Sequence, residues 1–400
     1  MMNVTDRFLR YVQVETTSSE NSDTCPSTPG QRKLAEMLRD ELQAIGLASA
    51  RMDENGYVYA FVPGKGPRAD VAVGLIAHMD TSGAVPGATT PHIIRNYDGE
   101  PIVLENGVVI DGFNFLPSLA GQDLVVGSGD SVLGADDKAG VAEIVTLAER
   151  LTAPDAPDHC TVCIGFTPDE EIGRGTDRFD LAGFGADYGY TVDGGRLGEL
   201  EFECFNAATA TVTVAGVSIH PGNAKNRMKN ACLMALEFAA MMPPAETPAH
   251  TEGYEGFYHL CGMTGTEEQT VLTYILRDHD ADKLEQKKAF MQRAAEYLNA
   301  KYGEGTVTVS VRDSYRNMKE IIEWHPHIVE KARQAFEACG VTPIIKPIRG
   351  GTDGARLSYE GLPCPNLSTG GFNSPGRMEL IPIQSMEKMV DVLQAIVCNA

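Results

Sequence analysis

The stretch VAVGLIAHMD, residues 71–80, begins as a strand and ends in chemistry. From Val71 to Ala77 it is a continuous apolar run, of a length that suits a strand buried on both faces, and it stops at His78 and Asp80. Two similar runs follow. CTVCIGF (160–166) leads into Pro168, which cannot donate to a sheet and should end the strand, and YGYTV (188–192) leads into Asp193 and two glycines that permit a tight turn. Helical spacing surrounds these runs: Leu34, Met37, Leu38, Leu42 and Ile45; Val141, Ile144, Val145, Ala148 and Leu151; Ile328, Ala332, Ala335 and Phe336; Met389, Val390, Leu393 and Val397. Apolar runs alternating with amphipathic helices predict an α/β layer with a mostly parallel central sheet.

Residues 84–125, rich in Gly, Pro and Val, read as an irregular insertion with β-hairpin pieces. From 207 the pattern changes. ATATVTV alternates with period two, 225–242 reads as a helix, and GFYHLCGM and QTVLTYILRD suit a hairpin around a Thr-Gly turn at 264–266. A polar helix over 281–302 and the strand TVTVSVRD complete a β-α-β-β-α-β order, the ferredoxin-like arrangement. The spacing predicts a first domain over 1–206 that resumes over 315–400, with a second, α+β domain inserted over 207–314.

The 400 residues carry 33 basic and 55 acidic side chains, a formal charge of −22. Such a surface repels nucleic acid, whose binding depends on Lys and Arg neutralising phosphates. No apolar run of about 18 residues suggests a membrane span. The N-terminal residues read as a short amphipathic helix with Phe8, Tyr11 and Val12 on one face, not as a signal peptide, so the expected location is the cytoplasm. The nine cysteines are scattered. Cys160 and Cys163 form a CxxC inside an apolar strand and read as buried reduced thiols, with a metal or redox pair as the alternative.

Four segments carry acids or an imidazole at the ends or starts of elements: His78-Met79-Asp80, Asp136-Asp137 opening a helix, Asp169-Glu170-Glu171 after a strand, and Asp193 at another strand end. Each has an ordinary explanation alone. His-x-Asp fits a surface pair, and two acids at a helix start fit a cap. Sites in open parallel sheets form beyond the carboxyl ends of strands, so these segments should converge. Carboxylates brought together repel one another, and a cation relieves that cost. One histidine with several carboxylates suits Zn²⁺, with Mn²⁺ or Co²⁺ as substitutes. Glu170 and Glu171, being adjacent, diverge, so one can hold a metal while the other handles protons.

Across these segments the chain resembles the di-zinc exopeptidase and deacylase family and, within it, the aminotripeptidases of the peptidase T branch. The resemblance rests on HMDT, LGADDKAG, FTPDEEIG, YTVDGG, LEFECFNA, SIHPGNAK, TEGYEGFYHL, SYRNM, HPHI, KPIRGGTDGA and GLPCPNLSTGG, in order along nearly the whole chain. It implies a zinc-exopeptidase-like catalytic domain and a lid domain used for homodimer contact. It also implies that His78 and Asp193 bind one zinc, Asp136 bridges two across a cis Asp136–Asp137 bond, Glu171 binds the second, and Asp80 orients the histidine. The implied reaction releases the N-terminal residue of tripeptides by metal-activated water, with Glu170 as general base and His220 stabilising the oxyanion. Asn223, Arg277 and Arg349 match positions near the substrate, the arginines suiting a peptide carboxylate.

One position departs from the pattern. The family supplies a further zinc-ligating histidine from the C-terminal segment, here GFNSPGRMEL (371–380), where it aligns with Met378; no histidine follows His327. A thioether suits Cu(I) better than Zn²⁺. Three expectations stay open: one firm zinc with a loosely held second metal; completion of the site by Glu379 or water; or an inactive peptide-binding relative. Within hydrolases, an N-acyl amino acid deacylase or carboxypeptidase is the further alternative.

Overall fold

The structure, a computed structural model, describes residues 2–400 and divides into two compact units. The first comprises the chain through Phe202 together with Glu320–Lys346 and Thr352–Ala400; the second comprises Glu203–Lys319 and Pro347–Gly351.

The first unit is built on an eight-stranded mixed sheet in the order Arg51–Met52, Val58–Val62, Thr161–Thr167, Ala72–His78, Tyr188–Val192, Asn366–Leu367, Glu199–Glu201, Ile344–Ile345. Its pairings are parallel through the centre, from Thr161–Thr167 to Asn366–Leu367, and at the Ile344–Ile345 edge. They are antiparallel at the other edge and between Asn366–Leu367 and Glu199–Glu201. The expected parallel character therefore holds at the centre. The three central runs read from sequence are adjacent, with His78 opposite Thr167 and Ile76 opposite Thr191. Their carboxyl ends lie at one edge, which is what brings His78, the Glu170 turn and Asp193 together.

Helices Pro29–Ala44, Ala135–Thr152, Pro326–Ala338 and Ile383–Cys398 carry the predicted periodic residues, except Ile45, which is the C-cap of the first. Two of them open on Pro, which loses nothing at a position whose N–H has no helical partner. Their apolar faces merge with the strands in one core that includes Leu38, Leu75, Val145, Ile164, Val192, Phe336 and Leu393. The 84–125 insertion forms a hairpin, Ile102–Val103 with Val109–Ile110, and a three-stranded sheet of Leu380–Pro382, Leu124–Val126 and His92–Ile94. All nine cysteines are free; burial raises Cys160 to about 12 and Cys163 to about 11, as suits inert thiols.

In the second unit the antiparallel sheet runs Phe257–Gly265, Gln269–Asp278, Asn206–Ala215, Val307–Tyr315, with helices Ala231–Ala240 and Ala281–Tyr302 packed on it. This is the ferredoxin-like order. Val212, Phe238, Leu272, Leu276, Met291 and Leu298 form its core.

Two local expectations are corrected. The helix expected from 225 starts at Ala231, because Asn226 has φ +61° and the Asn230 side chain caps the helix by accepting the Leu233 N–H. The turn expected at 264–266 falls later: the first strand continues through Gly265, and Thr266 N–H bonds to the Gln269 carbonyl. Among the described residues, no helix is long and apolar enough to cross a membrane.

Candidate active site

His78, the last residue of its strand, is 3% exposed and its ring is held on both sides. Nε2 lies 3.0 Å from Asp136 Oδ1 and 3.7 Å from Asp193 Oδ1. Nδ1 lies 3.1 Å from the Asp80 carbonyl oxygen and 3.4 Å from its carboxylate. The Asp80 contact expected from the sequence is thus made first by the backbone carbonyl, with the carboxylate behind it. Burial opposes an imidazolium here, but hydrogen bonds to Asp136, Asp193 and Asp80 outweigh it and raise the His78 pKa well above its usual range.

The Asp80 carboxylate turns instead to the next strand end. Fully buried, it accepts the backbone N–H groups of Glu170 at 3.0 Å and Glu171 at 3.1 Å. That turn begins at Asp169 in the left-handed region (φ +60°), whose carboxylate accepts N–H from Ser27 at 2.8 Å and from Gln31 Nε2 at 2.7 Å. Both glutamates are therefore presented by a turn fixed at two points.

Asp136 and Asp137 sit at a break in the start of the helix Ala135–Thr152, where both have non-helical angles and the bond between them is cis. Glu379 reaches this break: its carboxylate accepts N–H from Gly134 at 2.8 Å and Asp136 at 2.9 Å. Asp137 points the other way, accepting the His78 N–H at 3.0 Å. Asp193 follows the strand Tyr188–Val192, and its carbonyl accepts Asn366 Nδ2 at 2.9 Å.

Ligand atoms of His78, Asp136 and Glu171 lie within 4.8 Å of one another, as do those of His78, Asp137 and Asp193. From the sequence Asp137 is only Asp136's neighbour at a helix start; its place beside the histidine comes from the break in the helix. Burial, then repulsion from Asp193, raises Asp136, with His78 opposing; burial, then Asp136, raises Glu171 to about 8. Burial also holds Glu170 well above the carboxylate range, His78 opposing and Asp353 adding to it. Glu171 Oε1 is buried without a partner. Crowded acids and an orphaned carboxylate oxygen are the surroundings a divalent cation satisfies, so the residues fit a metal.

Sequence reasoning misses one further buried acid, Asp353, inside the block KPIRGGTDGA. It opens the helix Asp353–Glu360 after two glycines, accepts Thr167 Oγ1 at 2.7 Å, and burial raises it to about 7. An acid within Gly-Gly-Thr-Asp-Gly was the available signal. Met378 is 37% exposed; from its segment it is Glu379 that touches the Asp136 loop, with Ser374 Oγ behind it at 3.2 Å.

The remaining site candidates belong to the second unit. His220 caps its own short turn, Nδ1 accepting the Gly222 N–H at 3.2 Å, and Asn223 closes that turn. Arg277 Nη1 donates to the carbonyls of Ala208 and Leu276, and its guanidinium lies 5.3 Å from the Tyr315 ring. Arg349 donates to the carbonyls of Gly253, Glu255 and Thr251 and to Thr251 Oγ1, over the rings of Phe205 and Phe257.

Residues 202–306 match the peptidase dimerisation domain. Over 402 aligned residues the chain is 54% identical to peptidase T of Halothermothrix orenii and 52% identical to that of Desulfitobacterium hafniense, covering 99% of this chain and 98% of each relative. Among solved structures, aminopeptidase PepT from Bacillus cereus superposes with a TM-score of 0.76 at 22% identity, covering 99% of this chain and 97% of that one. A tripeptidase from Staphylococcus aureus does so with 0.78 at 19%, over the same shares. A dinuclear metal-binding peptidase of the M20 family from Bacillus subtilis, at 13% identity and 0.65 over those shares, has the same fold. With half or more of its residues shared along the whole length of such relatives, the chain belongs to the peptidase T family.

Proposed function

We propose that this protein is a zinc-dependent aminopeptidase that releases the N-terminal residue of tripeptides. The observation that carries the reading is the convergence of His78, Asp136, Glu171 and Asp193 from four separate segments, with Glu170 beside them. The peptidase T relatives and the tripeptidase fold support the substrate class.

In this reading His78, Asp136, Glu171 and Asp193 would hold the metal, with His78 and Asp193 serving one site, Glu171 a second and Asp136 both; Mn²⁺ or Co²⁺ could replace zinc. Bound metal supplies Lewis acidity, polarising the scissile carbonyl and acidifying water. Glu170 is the general base: half-buried, with its pKa raised, it takes a proton from the attacking water and returns it to the leaving amine. Asp80 fixes the turn that aims Glu170. The role proposed for His220 is to stabilise charge developing on the carbonyl oxygen, and that for Asn223, Arg277 and Arg349 is to bind the peptide.

A homodimer forms through the second unit. In support, the strand Phe257–Gly265 is a sheet edge exposing Leu260 and Met263, and the helix Ala231–Ala240 exposes Leu233 and Leu236 at 65% and 55%. Unpaired edges and apolar helix faces are surfaces proteins cover.

A second reading, a weakened or inactive peptide-binding relative, is favoured by one observation: residues 371–380 hold no imidazole, and Met378 is exposed. The test is hydrolysis of Ala-Ala-Ala against N-acetylated peptides with zinc, manganese or cobalt added, alongside elemental metal counting. Metal-stimulated cleavage of the free peptide is expected. Cleavage of only the blocked compounds would replace the aminopeptidase reading by a deacylase, and peptide binding without turnover at any metal level would leave the second reading. One tightly held metal per chain would mark the second site as weakened.

A further inference from the structure

The segment from Asn366 to Leu380 ties the two acids that face His78 Nε2, Asp136 and Asp193, to each other. At one end, Asn366 Nδ2 donates to the Asp193 carbonyl, and Thr369 and Gly370 N–H bond to the carbonyls of Gly194 and Gly195. At the other, Phe372 and Leu380 bond to each other in both directions, closing a loop that delivers Glu379. Glu379 is 1% exposed, and each of its oxygens has a backbone donor: Oε2 takes Gly134 N–H, and Oε1 takes Asp136 N–H together with the Ser374 hydroxyl.

These two N–H groups have no helical partner. Gly134 has φ +82°, Asp136 and Asp137 are non-helical, and the helix proper begins beyond them. Donors at a helix start need an external acceptor, and a carboxylate bridging two of them is a strong one. Asp136 can face His78 Nε2 at 3.0 Å only while its loop keeps this shape. Glu379 lies in neither group of metal-ligand atoms, so its oxygens serve the backbone.

We infer that Glu379 is a positioning residue for the metal site: it clamps the Gly134–Asp136 loop and thereby fixes the direction of the Asp136 carboxylate, rather than ligating a metal itself. The inference rests on the metal reading of the site given above. In a chain whose C-terminal segment has no imidazole to offer, that segment still serves the site by holding a ligand contributed from elsewhere.

The test compares Glu379→Gln and Glu379→Ala with the unaltered protein by Co²⁺ titration, the visible absorption of the Co²⁺-loaded protein, and hydrogen exchange of metal-free protein by mass spectrometry. The Ala variant is expected to bind Co²⁺ at least tenfold more weakly, with an altered spectrum and faster exchange confined to residues 133–138. Gln, which keeps one acceptor but turns an NH₂ toward the other donor, should fall between, and it answers the question if Ala fails to fold. Unchanged Co²⁺ affinity and spectrum in a folded variant overturn the inference, whether or not exchange rises. If the unaltered protein binds no Co²⁺, the metal reading fails by itself, and exchange at 133–138 alone decides whether Glu379 holds the loop.

Discussion

The carboxylate of Asp80 receives the backbone N–H of Glu170 at 3.0 Å. Its other oxygen takes the N–H of Glu171 at 3.1 Å. One buried acid thus links the strand end bearing the histidine to the turn bearing both glutamates. Replacing it with an amide points an NH₂ at one of those donors. Asp80→Asn is therefore expected to lower activity or metal affinity by about 10–100-fold, the usual range for groups that orient metal ligands. Thermal melting should show the variant folded; full activity in it would remove Asp80 from the site.

Glu170 and Glu171 should separate by function although they are neighbours. Glu170→Gln is expected to lower kcat by about 10²–10⁴-fold, the contribution of a placed proton carrier, with metal content unchanged. Glu171→Gln should lower metal content first. The same metal loss in both would place both on the metal and leave the base unassigned.

Stability should depend on pH in a direction that metal changes. Burial and then Asp136 raise Glu171 to about 8, and burial foremost raises Asp353 and Glu379 to about 7. An unfolded chain releases these protons near pH ~4, so between there and about 8 the folded metal-free protein binds more of them. Their favourable contribution is complete below pH ~4 and is lost as pH rises through about 7 to 8. Metal favours the ionised forms. The Tm of chelator-treated protein is expected to fall as pH rises across this window, and the gap to zinc-loaded protein to widen. A gap that stays constant or narrows counts against Glu171 meeting a metal.

Gly140→Ala should invert the usual rule for helices. Alanine in a helix interior ordinarily gains about 1 kcal/mol over glycine. Here the added Cβ would lie 2.0 Å from the Val192 carbonyl oxygen and 2.6 Å from Asp137 Oδ1. The strand end carrying Asp193 must then move, at a cost of about 1–3 kcal/mol. Denaturant unfolding measures this; a stabilised variant would show that helix and strand separate freely.

What the sequence made legible is whatever lies close along the chain. Apolar runs ending at His78, Pro168 and Asp193 marked three strands and the edge where their ends meet, because burial on both faces writes itself as a continuous run. Glu379 was visible as an acid, but its bond to the Asp136 loop joins positions 243 residues apart. No local period records such a contact. The role of Asp137 was hidden for a related reason: a helix opening at Asp137 turns it away from the histidine, and only the non-helical angles there bring it back. The helix start at Ala231 and the late hairpin turn were decided by a side-chain cap and by continued strand pairing, which outweighed local residue preference.

The Arg349 guanidinium arrives already occupied. Each of its Nη atoms has acceptors on the 251–255 stretch, and it lies over two phenyl rings. To grip a carboxylate with both Nη atoms, in the two-pronged manner natural to arginine, it would first give up acceptors on this stretch. Recognition through this side chain would then be an exchange of partners, with the freed stretch 251–255 rearranging each time a peptide is caught or let go.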